Sequence, residues 1–331
     1  MMKWFKRVQT CSIVARVLRR WFIFNIFLMV NVSVLADDLF PAPAYVSLKL
    51  ANQVQKMPSD VAWTGGPDML FNAISPDGSV LLVTSPSTAS VYAFDANKGK
   101  QRALIKVGQA PKGVKISPNG KEAYVSNEGS DSISVIALSS FKVVATIKTD
   151  DMPHNVRFNE NGSLAYVTLQ GGAGLGVIDT ASRKVIRVIP IPGLEGPHNL
   201  DLSKDGETAL VRDVANHVAV LDLASGKVKK IINVGMGHAG IDVLPNGRYA
   251  ATGAIADEVV TIIDLNSLSI VKTIKVGNGP HGVRASKDGR WLYVAVTADD
   301  IVVVIDTRSW EIKKTYKVGS FPFWVAVIDN P

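Results

Sequence analysis

"PHGVRASKDGRWLYVAVTADDIVVVIDTRSWEIKKTYKVG", Pro280 to Gly319, is a 40-residue unit that the rest of the chain repeats. It carries four short runs rich in β-branched and aromatic residues: one before Asp288-Gly289, one after it, a third ending at Asp306 and a fourth ending at Gly319. None reaches the ten or more residues that an amphipathic helix needs, and Gly and Asp break them at short intervals. Four such runs joined by tight turns predict one antiparallel sheet of meander topology.

The turn in that unit recurs along the chain. Gly78, Gly120, Gly162, Gly206, Gly247 and Gly289 close "SPDG", "SPNG", "NENG", "SKDG", "LPNG" and "SKDG", at spacings of 42, 42, 44, 41 and 42 residues. A period near 42 with four strands in it predicts the blade of a β-propeller. The 295 residues that follow Ala36 hold seven such periods. Six complete repeats lie between Pro67 and Gly319, and "FPFWVAVIDNP" at the C-terminus supplies one more innermost strand. Its missing partners are "AYVSLKL" from Ala44, then "NQVQKM" and "VAWTGG". The expected fold is all-β, a seven-bladed β-propeller of four-stranded blades over residues 37–331, with 37–66 and 319–331 forming the closing blade. Closing the ring in this way removes the open sheet edges of an unfinished array.

The first 36 residues differ in kind. Lys3, Lys6, Arg7, Arg16, Arg19 and Arg20 precede the apolar run "WFIFNIFLMVNVSVLA", with no acid before Asp37. This pattern predicts a cleaved export signal over 1–36, and hence a periplasmic or secreted protein. Arg19-Arg20 leaves a twin-arginine route open beside the general one, although the Ser or Thr expected before the pair and the Lys after it are missing. The apolar run is shorter than the roughly 20 residues of a membrane span, so the mature chain is not expected to be membrane-embedded. Six of the 36 Lys and Arg residues lie in this segment, leaving 30 against 29 acids. A nucleic-acid partner then has no basic surplus to draw on. Cys11 is the single cysteine, so the mature chain has no disulfide, no thiolate ligand and no Cys-x-x-Cys-His haem attachment.

"AYVSN" at Ala123–Asn127, "AYVTL" at Ala165–Leu169, "PHGVRASKDGRWLYV" from Pro280 and the recurrent "VID" and "KVG" strand ends closely resemble YVTN-type β-propeller repeats. These are similar to the propeller domain of haem-containing dissimilatory nitrite reductases. The resemblance covers residues 44–331 and implies the propeller fold and an exported protein. Its members include binding, cofactor-bearing and catalytic proteins, so it does not choose among these functions.

The histidines fall into a pattern. His154, His198 and His281 each stand eight residues before a turn glycine, so each should start an innermost strand and border the mouth of the central channel. Lys112 takes this position in blade 2, Ala239 in blade 5 with His238 one residue earlier, and Phe323 in blade 7. His217 starts the third strand of blade 4, while Arg212 and Asp213 end its second and Asn127 and Glu128 end that of blade 2. His154, His198, His281, His238, Lys112, Arg212 and Asp213 are the candidate cofactor contacts. His154, His198 and His217, on neighbouring blades 3 and 4, are the candidate metal ligands. Asp151 and Glu195, three residues before two of the histidines, are candidates to hold the second imidazole nitrogen. Sheets packed about 10 Å apart give a ring of roughly 8 to 11 Å radius, which sets His281 far from an ion held by blades 3 and 4. A larger cofactor would touch all of these residues.

A structural reading stands beside the chemical one. A polar residue after Pro at a strand start can simply bond to the next blade, and repeat duplication would copy it. Lys115, Arg157, Asp201, Asp242 and Arg284, three residues further on, are expected to pair between blades; Phe323 and Trp324 are expected to pack at the closure. "GGAGLG", Gly171–Gly176, lacks the strand-to-helix context of a nucleotide fingerprint and reads as a loop of close backbone approach.

Three functions are consistent with these features. One is an exported propeller that binds a metal ion (copper, zinc or iron) or a haem-like cofactor, in periplasmic redox chemistry, cofactor handling or metal delivery. A second is a non-catalytic scaffold for a periplasmic protein partner or an envelope polymer. The third, a propeller hydrolase or lyase with His154 or His198 as acid and base, lacks a recognisable set of nucleophile, base and orienting group.

Overall fold

The computed structural model describes residues 39–172 and 174–328. The segment read as an export signal, 1–36, lies outside the described residues. Ala42–Pro331 is one compact unit built from seven four-stranded antiparallel sheets, each a meander. Among the described residues there is no α-helix, and so no helix long and apolar enough to cross a membrane.

The innermost strands are Asn72–Ile74, Pro111–Ile116, Pro153–Phe158, Pro197–Leu202, Ile241–Val243, Pro280–Ala285 and Pro322–Val327, in blades 1 to 7. In the closing blade, Pro322–Val327 pairs with Ala44–Leu48, which is followed by Gln53–Met57 and Ala62–Thr64. One C-terminal strand and three N-terminal ones therefore complete the ring, as the repeat count requires.

The repeated turn explains its own sequence. All six turn glycines have φ between 68° and 72°, the left-handed region that costs a side chain and suits glycine. The preceding Asp or Asn accepts the backbone N–H two residues on, as in Asp77 Oδ1 to Ser79 N (3.0 Å) and Asn119 Oδ1 to Lys121 N (2.9 Å). Between these turns the inner three strands are almost wholly buried, whereas the fourth is exposed: Lys142–Lys148 buries only Ile147.

Apolar clusters fill the spaces between neighbouring blades. Tyr45, Trp63, Leu81 and Phe94 join blade 7 to blade 1, and Tyr124, Ile133, Val156 and Ile178 join blade 2 to blade 3. Each fully buried Val, Leu, Ile or Phe contributes roughly 1.5–3 kcal/mol, so blade contacts dominate the stability of the ring.

Candidate functional site

Four of the innermost strands open on an irregularity. The pairing register shifts between Pro111 and Val114, Pro153 and Val156, Pro197 and Asn199, and Pro280 and Val283. A β-bulge re-aims the side chain at its extra residue. Here it turns Lys112, His154, His198 and His281 inward at one end of the channel. The residue after each approaches the next blade closely: a Cβ on Gly113 would lie 2.7 Å from the His154 carbonyl, and one on Gly282 2.7 Å from that of Phe323. Blades 3 and 4 carry Asn155 and Asn199 there, and use the amides instead. Asn155 Nδ2 donates to Asn199 Oδ1, and Asn199 Nδ2 to the Ala239 carbonyl (2.8 Å).

The histidine rings use one nitrogen in the same way. His154 Nδ1 donates to the His198 carbonyl (2.9 Å), and His281 Nδ1 to that of Phe323 (3.0 Å), each one blade onward. The carbonyl equivalent for His198 is that of Ala239, which Asn199 occupies, and His198 Nδ1 donates to Gln170 Oε1 (2.7 Å) instead. Asp151 and Glu195, expected to hold these nitrogens, are exposed and do not. Backbone carbonyls and Gln170 take that role because the bulge points the rings along the ring of blades rather than back to the preceding loop.

With Nδ1 protonated, Nε2 carries the lone pair. Nε2 of His198 and of His281 is buried with no hydrogen-bond partner. Donor atoms of His198, His238 and His281 all lie within 4.8 Å of one another. The rings of His198 and His281 are 6.5 Å apart, and His238 stands between them at 4.6 and 5.2 Å. His154 stacks on the far side of His198 at 3.6 Å. Burial pushes the His154 imidazole down to about 3, with Lys112 adding to the effect. It holds His198 and His281 well below 6.5, and lowers His238 with help from Arg212. All four rings are neutral at pH 7, the state that binds a metal ion.

These histidines are not an open rim. His154, His198 and His281 are 3%, 6% and 0% exposed, and His238 is half-buried. Phe71, from the irregular start of blade 1, fills the axis: its ring lies 5.4 Å from His154, 6.3 Å from His281 and 4.7 Å from Trp324. Phe323 stacks on His281 at 3.9 Å, so it joins the cluster as well as the closure. Inward-leaning rings close the distance that a ring of 8 to 11 Å radius would leave open.

The remaining candidates lie apart. His217 Nδ1 donates to Asp213 Oδ2 (2.7 Å), and the three histidines whose donor atoms all lie within 4.8 Å of one another are His198, His238 and His281 rather than His154, His198 and His217. Arg212 and Asp213 are fully buried. Arg212 donates to the carbonyls of Gly235 (2.7 Å), Gly237 and His217 (3.1 Å), and Asp213 accepts from the N–H groups of Ala215 (3.1 Å) and His217 (2.8 Å). Together they fix the loop that carries His238. Lys112 pairs with Glu128 (3.7 Å), and Asn127 bonds to Ser132 and Ser134 within its blade. Nothing in the sequence selects Gln170, and the one signal for Phe71 is that blade 1 departs from the repeat at Asp68–Leu70, where no Pro precedes the strand-start position.

Fold and site thus define a seven-bladed propeller with a buried cluster of neutral histidines at one end of its channel. The YNCE-like beta-propeller family matches residues 43–193, and the Cytochrome D1 heme domain family matches residues 203–320, which include His217, His238 and His281. Both agree with the resemblance read from the repeats. No curated protein sequence matches the chain. Among solved structures, hydrazine synthase of Kuenenia stuttgartiensis is similar, at 23% identity and a TM-score of 0.72, over 83% of this chain and 93% of that one. A functionally unknown protein of Desulfotomaculum acetoxidans DSM 771 gives 16% and 0.73, over 86% and 98%. The dihydro-heme d1 dehydrogenase NirN, in complex with DHE, gives 17% and 0.66, over 86% and 75%. At these identities the likeness is one of fold.

Proposed function

We propose that the protein is an exported propeller that binds a metal-centred cofactor at this cluster, either a bare copper, zinc or iron ion held by His198, His238 and His281 or a haem-type group whose iron one of these histidines would ligate. The observation that carries this reading is the pair of buried, unpartnered Nε2 atoms on His198 and His281, each on a ring whose Nδ1 is fixed as a donor. A buried polar atom without a partner costs about 1–3 kcal/mol, and a metal ion relieves that cost. Imidazoles oriented through their other nitrogen are the usual form of metal-binding histidine. The Cytochrome D1 heme domain match over 203–320 and the fold shared with NirN favour a haem-type group. Such a group would supply redox or ligand-exchange chemistry at its iron. His154 backs the His198 ring, and Arg212 fixes the loop of His238. The basic and apolar start of the sequence supports export to the periplasm or beyond.

Elemental analysis and an optical spectrum of protein purified without chelators from its export compartment test this reading. Near-stoichiometric metal or a haem-like absorbance is the expected result, lost in the His198→Ala/His281→Ala variant. A folded, colourless, metal-free protein overturns it.

A second reading, docking of a protein partner, has one observation in its favour. Leu50, Val214 and Met236, at 65%, 37% and 62% exposure, sit on loops at the histidine end of the blades. Cross-linking that depends on Met236 and persists after metal removal would support it; no cross-link would sink it.

A further inference from the structure

Of the three histidines that open innermost strands, His198 alone does not give its Nδ1 proton to the backbone of the next blade. His154 and His281 donate to carbonyls, which only accept and which are fixed by the strands they belong to. The carbonyl that would serve His198 is that of Ala239, and Asn199 Nδ2 has taken it (2.8 Å). Gln170 Oε1, 2.7 Å from His198 Nδ1, stands in its place.

The local chain is shaped around that side chain. Gln170 follows the second strand of blade 3, Leu164–Leu169, at the head of the glycine-rich stretch from Gly171. Its backbone N–H donates to the Met152 carbonyl (2.9 Å), which ties it to the loop that leads into the strand of His154. At Gly171 an added Cβ would lie 2.6 Å from Asp151 Cγ, so the chain passes that loop only as glycine. At Gly196 an added Cβ would lie 3.2 Å from Gln170 Cγ, so the glutamine stem runs over bare backbone just before Pro197 and His198.

A neutral imidazole has one N–H, and the partner of one nitrogen decides which nitrogen keeps the lone pair. Gln170 Oε1 holds the proton of His198 on Nδ1. Nε2, buried with no hydrogen-bond partner, then turns its lone pair to the cluster with His238 and His281. Gln170 is half-buried, so a water molecule in its place could accept from Nδ1 or donate to it, and the tautomer would no longer be fixed.

We propose that Gln170 is a positioning residue of the histidine cluster, fixing the His198 tautomer and with it the capacity of His198 to bind a metal ion. The tautomer stands on hydrogen bonding alone; the consequence for binding rests on the metal-centred function proposed for the cluster.

Ring-nitrogen NMR of the full chain, histidine-labelled and metal-free, tests the tautomer, and zinc titration tests the consequence. In the wild type His198 should carry its proton on Nδ1, as His281 does. Gln170→Leu should move that proton wholly or partly to Nε2 and lower zinc affinity about 10- to 100-fold, with His281 unchanged. Gln170→Glu, whose carboxylate only accepts, should restore both. A folded Gln170→Leu variant in which His198 keeps its proton on Nδ1 overturns the proposal, as does zinc affinity indifferent to a tautomer that moves. A wild type that binds no metal would overturn the metal-centred function instead, and the ring spectra would still decide the role of Gln170.

Discussion

The His154 ring lies stacked on the His198 ring at 3.6 Å, while its Nδ1 donates to the His198 backbone carbonyl. One residue thus ties blade 3 to blade 4 and backs a candidate metal ligand. The structural and chemical readings of the repeated Pro-His-Asn are two ends of the same imidazole: Nδ1 belongs to the fold, and Nε2 is left for the site.

That division predicts unequal effects of histidine removal. His198→Ala and His281→Ala each take away a donor of the cluster, and should lower zinc or copper affinity by at least about 100-fold. His217→Ala removes a ring already bound to Asp213, and should leave metal affinity within about threefold. Competition titration with a chromophoric chelator separates the two classes.

Much of this was legible in the sequence, for a physical reason. A left-handed turn needs glycine and an Asx side chain, so six of the seven blades carry the same kind of four-letter mark, and the position of His154, His198 and His281 follows by counting back from Gly162, Gly206 and Gly289. What could not be read was aim. A β-bulge has no composition of its own, so the inward lean that brings His281 within reach of His198 was hidden. So was the plug at Phe71, in a blade whose innermost strand does not open on proline. Gln170 was hidden too, since it matters only because Asn199 had already taken the Ala239 carbonyl.

Arg212 offers a prediction about the loop rather than the ligands. Burial draws its pKa down to about 10, so it remains cationic and paired with Asp213. Arg212→Met would leave Asp213 buried without its partner and release the carbonyls of Gly235 and Gly237, at a cost of roughly 3–5 kcal/mol. Urea denaturation should show that loss, and metal affinity should fall with it because His238 is freed; Arg212→Lys should recover part of both.

Stability should also depend on pH in a definite direction. In the unfolded chain the His154 imidazole titrates near 6.5, and in the fold near 3. Between these values the unfolded chain binds more protons, so its linked stability, roughly 5 kcal/mol, is present above pH 6.5 and is lost as pH falls towards 3. His198 and His281 act in the same sense. Asp242 acts oppositely: burial lifts its carboxyl from 3.8 to about 6 against the pull of Arg284, so its contribution is present at low pH and is lost as pH rises through 6. Three histidines outweigh one carboxylate, and the metal-free protein should therefore lose stability steadily below pH 6.5. His154→Gln should flatten the curve; a wild-type midpoint in urea unchanged between pH 7 and pH 4.5 would contradict the burial of neutral rings.

Phe71 joins stability to access. Its ring touches His154, His281, Phe323 and Trp324, residues of blades 3, 6 and 7, and it is 2% exposed. Replacing a buried phenylalanine by alanine removes apolar contact and leaves a cavity that the fixed innermost strands cannot collapse, at roughly 3–5 kcal/mol. Phe71→Leu keeps most of the volume and should cost about half as much. Because the plug closes the inner side of the histidine cluster, Phe71→Ala should speed metal loading while lowering the melting temperature. Stopped-flow loading and calorimetric melting of the two variants test both effects. Faster loading with unchanged melting in Phe71→Ala would mean that Phe71 guards the site without bracing the ring of blades; lowered melting with unchanged loading would mean the reverse.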